Sequence, residues 1–161
     1  MTLLEYRPGW ICRLCRRQGC LSAAQEQPGR PDTGSKYETK RNLWIQLSFG
    51  TILSVFARGK RMLRTPTAVI AIRGTGAYLE SDSEKTYICT CYGTSHLQIK
   101  ETPDITETVT TQHHEAPRFI YAAEKRIVLA PVFNHSDQEL IMLEELVGRV
   151  PPFLEVGWER P

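Results

Sequence analysis

Two cysteines one residue apart, Cys89 and Cys91, and three later histidines, His113, His114 and His135, are the side chains best suited to chemistry. Thiolates and imidazoles together are ligands for zinc, copper or iron, and two of each complete a tetrahedral site. In a strand, residues two apart point to the same face, so Cys89 and Cys91 would present their sulfurs side by side. His135 stands just before Ser136-Asp137-Gln138-Glu139, the signature of a helix start, a fixed point from which an imidazole can be aimed inward. The intervals are 21 residues between Cys91 and the histidine pair and 20 more before His135, which match none of the common zinc signatures. Two other readings compete with zinc or copper. Cysteine packs like a small hydrophobe, so the pair could simply belong to the core, with His113 and His114 solvated in a loop. Redox pairing is the third, and strand geometry disfavours it because the Cα atoms lie near the ~7 Å limit for a disulfide. Core packing is the stronger reading, a metal the next, and oxidation the weakest.

Other chemistry finds less support. Cys12, Cys15 and Cys20 include one C-x-x-C, but no second knuckle follows to complete four zinc ligands. There is no G-x-S-x-G elbow, Walker loop, G-x-G-x-x-G or H-E-x-x-H. His113-His114-Glu115 gathers two bases and a carboxylate, yet adjacent residues rarely converge on one substrate atom. Arg73-Gly74-Thr75-Gly76 is too short to cradle phosphate and reads as a hairpin corner. The acidic residues of the C-terminal helix read as a solvated face. The expectation is a protein that is not an enzyme.

At 161 residues, 41% hydrophobic and 24% charged, the chain has the proportions of one globular domain. A net charge of +2 is too mild to indicate a nucleic-acid partner. No apolar run approaches the ~18 residues of a membrane-spanning helix. Charge is divided unevenly: residues 1–42 hold eight Lys/Arg and four Asp/Glu, residues 43–161 twelve and fourteen. The first region, basic and then rich in Gln, Pro, Gly and Ser without a period, reads as a disordered tail, and residues 43–161 as the folded domain. Leu21-Ser22-Ala23-Ala24-Gln25 has the small residues of a signal-peptide cleavage site, but Arg13, Arg16 and Arg17 interrupt any apolar stretch before it, so no export signal is evident.

The elements that must position the Cys/His set are short strands. Residues 43–47, 51–56, 67–72, 77–80, 86–91 and 95–99 are β-branched or aromatic runs starting about every 8–12 residues, the rhythm of an antiparallel sandwich or stacked β layers. Phe49-Gly50, Arg58-Gly59-Lys60, Arg73-Gly74-Thr75-Gly76 and Tyr92-Gly93 would turn the chain between them. Residues 101–134 read as looser structure, with strand-like stretches at 118–121 and 127–129. One helix is expected over about 137–147, opened by the Ser136/Glu139 capping box and closed by Gly148 and Pro151-Pro152. The fold class is therefore mainly β with one C-terminal helix.

Three stretches in this pattern, 50–56, Arg64-Thr-Pro-Thr-Ala-Val-Ile-Ala-Ile-Arg-Gly-Thr-Gly76 and Thr86-Tyr-Ile-Cys-Thr-Cys-Tyr-Gly93, resemble the later part of FecR-type domains. The Arg-Gly-Thr corner at Arg73, Gly74 and Thr75 is the most recognisable piece. The resemblance covers about residues 43–100. Residues 112–118 and 134–140 look like the C-terminal extension of a bacterial FecR-domain subgroup. It implies a β-rich, non-catalytic sensing or protein-interaction module of the bacterial envelope, periplasmic, with no cofactor and with a protein partner. Members of the family relay the state of an outer-membrane receptor to a sigma factor through protein contacts. The family's first strands, membrane-spanning helix and sigma-factor-binding segment are not matched, which would leave an unpaired sheet edge near residues 43–47. The alternative function is a small metal- or redox-binding protein built on the Cys/His cluster.

Overall fold

The computed structural model describes residues 2–6, 10–14, 21–25, 43–57 and 59–155, the first three stretches and positions 43, 75 and 155 by backbone alone. Among the described residues eleven strands run in chain order: β1 (Thr2–Tyr6), β2 (Trp10–Leu14), β3 (Leu21–Gln25), β4 (Leu43–Leu47), β5 (Gly50–Phe56), β6 (Lys60–Arg64), β7 (Ala68–Ser81), β8 (Lys85–Ile99), β9 (Thr106–Thr111), β10 (Arg118–Tyr121) and β11 (Arg126–Leu129). Two helices follow, α1 (Asp137–Leu146) and the single turn α2 (Pro152–Glu155). The domain is mainly β with a C-terminal helix, as its alternating pattern predicts. Of the region expected as a tail, β1, β2 and β3 are described as backbone strands, with Cys12 in β2, while Cys15, Cys20 and residues 26–42 lie outside the described residues.

The strands form one sheet in the order β1-β2-β5-β7-β6-β4-β3, and β8 joins β7 and carries both β9 and the β10–β11 pair. Among the described strands only β4 and β6 run parallel. The edge expected at residues 43–47 is not bare, because β4 lies between β6 and β3.

The expected glycine turns at 73–76 and 92–93 need correction. Residues 68–81 form one continuous strand, and so do 85–99, paired from Ala68↔Ile99 to Ser81↔Thr86 with register shifts between Arg73 and Gly76 and between Gly76 and Ala77. Arg73-Gly74-Thr75-Gly76 is thus the bulged middle of β7. Gly74 at φ 52° and Gly93 at φ 90° do adopt the left-handed region, but that conformation serves a bulge inside a ladder as well as a reversal between strands. The actual reversal from β7 to β8 is at residues 82–84, where the Asp82 carboxylate accepts the Glu84 and Lys85 N–H groups at 2.8 Å each.

The bulges divide the long pair into two halves with different neighbours. Residues 69–73 of β7 pair with β6, and residues 76–81 with β5; residues 93–98 of β8 pair with β9, and residues 85–88 with β10. Side chains from both halves, among them Ile52, Ile70, Ile72, Leu79, Ile88, Leu97 and Ile120, meet in one buried cluster. Alternate residues of the β5, β7 and β8 segments face the other way. Leu53, Val55, Tyr78, Tyr87, Cys89, Cys91 and Tyr92 form a second cluster closed by Leu140 and Leu143 of α1 and by Phe153. The sheet therefore has an interior on one side and a helix-covered face on the other.

The α1 helix begins and ends where its sequence signals stand. The Glu139 carboxylate accepts the Ser136 N–H at 3.1 Å, the backbone half of a capping box. Gly148, at φ 70°, donates to the Glu145 carbonyl while Arg149 donates to that of Glu144, the paired bonds of a Schellman ending.

Candidate functional site

The Cys/His residues converge where α1 meets the second face of the sheet. Cys89 and Cys91 both enter the helix-side cluster, as same-face residues of one strand should. The register pairs Gly76 with Tyr92 and Ala77 with Thr90, so Cys91 is the extra residue of a bulge. Both thiols are free and fully buried. His114 stands in the loop after β9 at φ 59°, its N–H bonded to the Cys91 carbonyl at 2.9 Å, which fixes that loop onto β8. His135 lies two residues before α1 and stacks its ring on Tyr78, centroids 4.5 Å apart and planes 14° from parallel.

One ligand-type atom from each of Cys89, Cys91, His114 and His135 lies within 4.8 Å of all the others. Cys89 Sγ is 3.2 Å from His114 Nδ1, which is 3.1 Å from His135 Nε2. The outer nitrogens are also engaged. His135 Nδ1 bonds the Phe133 carbonyl at 2.8 Å, and His114 Nε2 bonds Asp137 Oδ1 at 3.0 Å. His113 joins the same carboxylate oxygen at 2.9 Å and packs on Phe153, so it faces Asp137 and is not one of the four.

Electrostatics divides the two thiols. A hydrogen bond from Cys91 lowers Cys89 most, against the upward push of burial, with His114 and His135 adding to the lowering, so that it falls to about 4. Burial, and then Cys89 itself, pushes Cys91 well up. Burial alone would lower the His114 imidazole, but Cys89 and Asp137 raise it on balance. Such a group of two sulfurs and two imidazoles can hold a cation, share a proton, or be oxidised.

Of the five metal-ligand candidates in the sequence, the structure gathers Cys89, Cys91, His114 and His135 directly and places His113 beside Asp137, outside the four. Arg73, Gly74 and Gly76 do not join them, and the side chain of Thr75 lies outside the described residues; Gly76 lies under the ring of Tyr92, where an added Cβ would meet ring carbons at 2.6 and 2.9 Å. The reading of the helix carboxylates as a solvated face is corrected at two positions. Asp137 is the shared acceptor of both histidines, and Glu144 is buried, accepting the Tyr92 hydroxyl and pairing with Arg149 Nε at 2.5 Å. Asp137 stands two residues after His135 in sequence, a hint at its role; Glu144 falls one residue after Leu143 and four after Leu140, on the buried stripe of α1.

No protein-family model matches the sequence, and neither does any curated protein. Among solved structures the fold is similar to two crystal structures, each of a candidate anti-sigma factor from Parabacteroides distasonis. In one, at 11% identity and a TM-score of 0.58, the match covers 89% of this chain and 60% of that one. In the other, at 10% identity and a TM-score of 0.57, it covers 91% and 69%. The chain thus spans about three-fifths to two-thirds of the length of these structures, and what it shares with them is the fold.

Proposed function

We propose that this chain is a FecR-like, non-catalytic regulatory domain that acts by binding a protein partner in the bacterial cell envelope. The observation that carries this reading is the similarity of its fold, over about nine-tenths of the chain, to two structures of candidate anti-sigma factors. It agrees in kind with the resemblance of residues 43–100 to FecR-type domains, whose members regulate sigma factors through contacts. Cys89, Cys91, His114 and His135 converge in a buried cluster, to which this reading assigns no reaction. On this reading the chain works in the periplasm.

Crosslinking of the full chain in its own cells, followed by identification of the captured proteins, tests the reading together with a transcript profile of a deletion strain. The expected result is an envelope receptor or a sigma-factor regulator among the captured proteins, and a changed transcript level for the genes of one alternative sigma factor. Capture of metabolic enzymes alone, with transcription unmoved, would overturn it.

A further inference from the structure

We propose that Cys89, Cys91, His114 and His135 bind one zinc ion, which ties α1 and the loop after β9 to strand β8. The inference rests on the geometry of these side chains and is independent of which partner the domain serves.

The hydrogen bonds around the two imidazoles carry the argument. A backbone carbonyl only accepts, so the nitrogen of His135 that meets the Phe133 carbonyl, Nδ1, holds the proton and leaves the Nε2 lone pair directed inward. A carboxylate likewise only accepts, so His114 Nε2 holds its proton against Asp137, and in the neutral imidazole, the form that binds a metal, the Nδ1 lone pair is directed inward. These two lone pairs face each other at 3.1 Å, with Cys89 Sγ 3.2 Å from one of them. Two neutral acceptors held this close repel unless a cation or a proton stands between them. A carbonyl and a carboxylate are also the outer partners that metal-bound histidines characteristically have, since they fix the tautomer and the ring orientation.

The donor set completes the case. Zinc takes thiolate sulfur at about 2.3 Å and imidazole nitrogen at about 2.0–2.1 Å, so the edges of a Cys2His2 tetrahedron run from about 3.3 to 3.8 Å. The observed 3.1 and 3.2 Å contacts are slightly shorter than these edges and the four atoms span up to 4.8 Å, so shifts of a few tenths of an ångström to about 1 Å would seat the ion. Two buried thiolates and a divalent ion sum to zero charge, which suits a site whose cysteines have no exposure. Core packing accounts for two buried thiols but not for two imidazoles aimed at them from separate segments. The ligands come from three places, strand β8, the loop after β9 and the lead-in to α1, so the ion closes long loops and adds to folding stability.

The test uses the untagged full chain. Metal analysis after purification should find one equivalent of zinc per chain, and replacement by cobalt should give the thiolate charge-transfer band and the strong visible bands of a tetrahedral site. Cys89→Ser and His114→Ala should lose both. Asp137→Asn should keep the spectrum but weaken zinc binding by about 10–100-fold, as the loss of an outer carboxylate does. Should these variants fold poorly, the unaltered protein still decides: its thermal midpoint should rise when zinc is restored to chelated protein. Purified protein without zinc that gives no cobalt spectrum, a site that takes copper and excludes zinc, or a native Cys89–Cys91 disulfide would each overturn the assignment.

Discussion

Gly76 and Tyr92 show how one missing side chain can set the position of another. The Tyr92 ring lies where a Cβ on residue 76 would stand, 2.6 Å from the nearest ring carbon, and both residues are buried. Gly76→Ala must therefore displace the ring and disturb its hydroxyl's bond to Glu144, and a loss of about 1–3 kcal/mol is expected by analogy with overpacked cores; denaturant titration with an unchanged m-value would show it. The hydroxyls of Tyr92 and Tyr87 make a useful contrast. The first donates to the buried Glu144 carboxylate, the second to the Pro131 carbonyl at 3.0 Å. Hydrogen bonds to charged groups contribute about 1.5–3 kcal/mol against about 0.5–1.5 kcal/mol for neutral pairs. Tyr92→Phe should accordingly cost more than Tyr87→Phe by equilibrium unfolding, and equal losses would show that Arg149 alone satisfies Glu144.

Among the elements, α1 has clear punctuation in its own residues. Ser136, Glu139 and Gly148 mark its ends, and the helix observed over Asp137–Leu146 departs from the expected span by a single residue. Gly148 sits at φ 70° with nothing within 4 Å of an added Cβ, so Gly148→Ala meets no clash and suffers only the left-handed backbone. A loss of about 1 kcal/mol is expected, with Gly148→Asn costing less because asparagine tolerates that conformation; thermal melts of the two variants decide it. The strands are less well punctuated. Gly74 and Gly93 carry the same chemistry as turn glycines, but strands on both sides continue their ladders past them. A sequence window around residue 74 contains no trace of β5, β6 or β8, and these decide that the chain goes straight on. Thr106–Thr111 similarly becomes a strand because β8 offers it an edge, although its threonine-rich sequence is polar.

For the whole molecule, the decisive feature is a sheet segment with apolar residues on both faces. Ile52, Leu79 and Ile88 point into the interior, and Leu53, Tyr78, Tyr87 and Cys89 point toward α1. The helix layer thus rests on a cluster of its own, separate from the core beneath. If zinc joins that layer to β8, chelation should loosen the layer before the sheet. Amide exchange should speed up first in α1 and residues 112–117, while the central ladder of β7 and β8 keeps its protection. Uniform acceleration across the sheet would instead mean that the two clusters unfold as one unit.

Residue types and period alone determined that this chain is mainly β, where its C-terminal helix begins and ends, and that Cys89 and Cys91 share a face, because these follow from side-chain alternation and local capping. The same sequence left open whether the cysteines had company. Their association with His114, His135 and Asp137 was decided by the tertiary structure, since it depends on β8, the loop after β9 and the start of α1 meeting across 20 or more intervening residues. The fate of the glycines at 74 and 93 was decided in the same way, by hydrogen-bonding partners from distant strands.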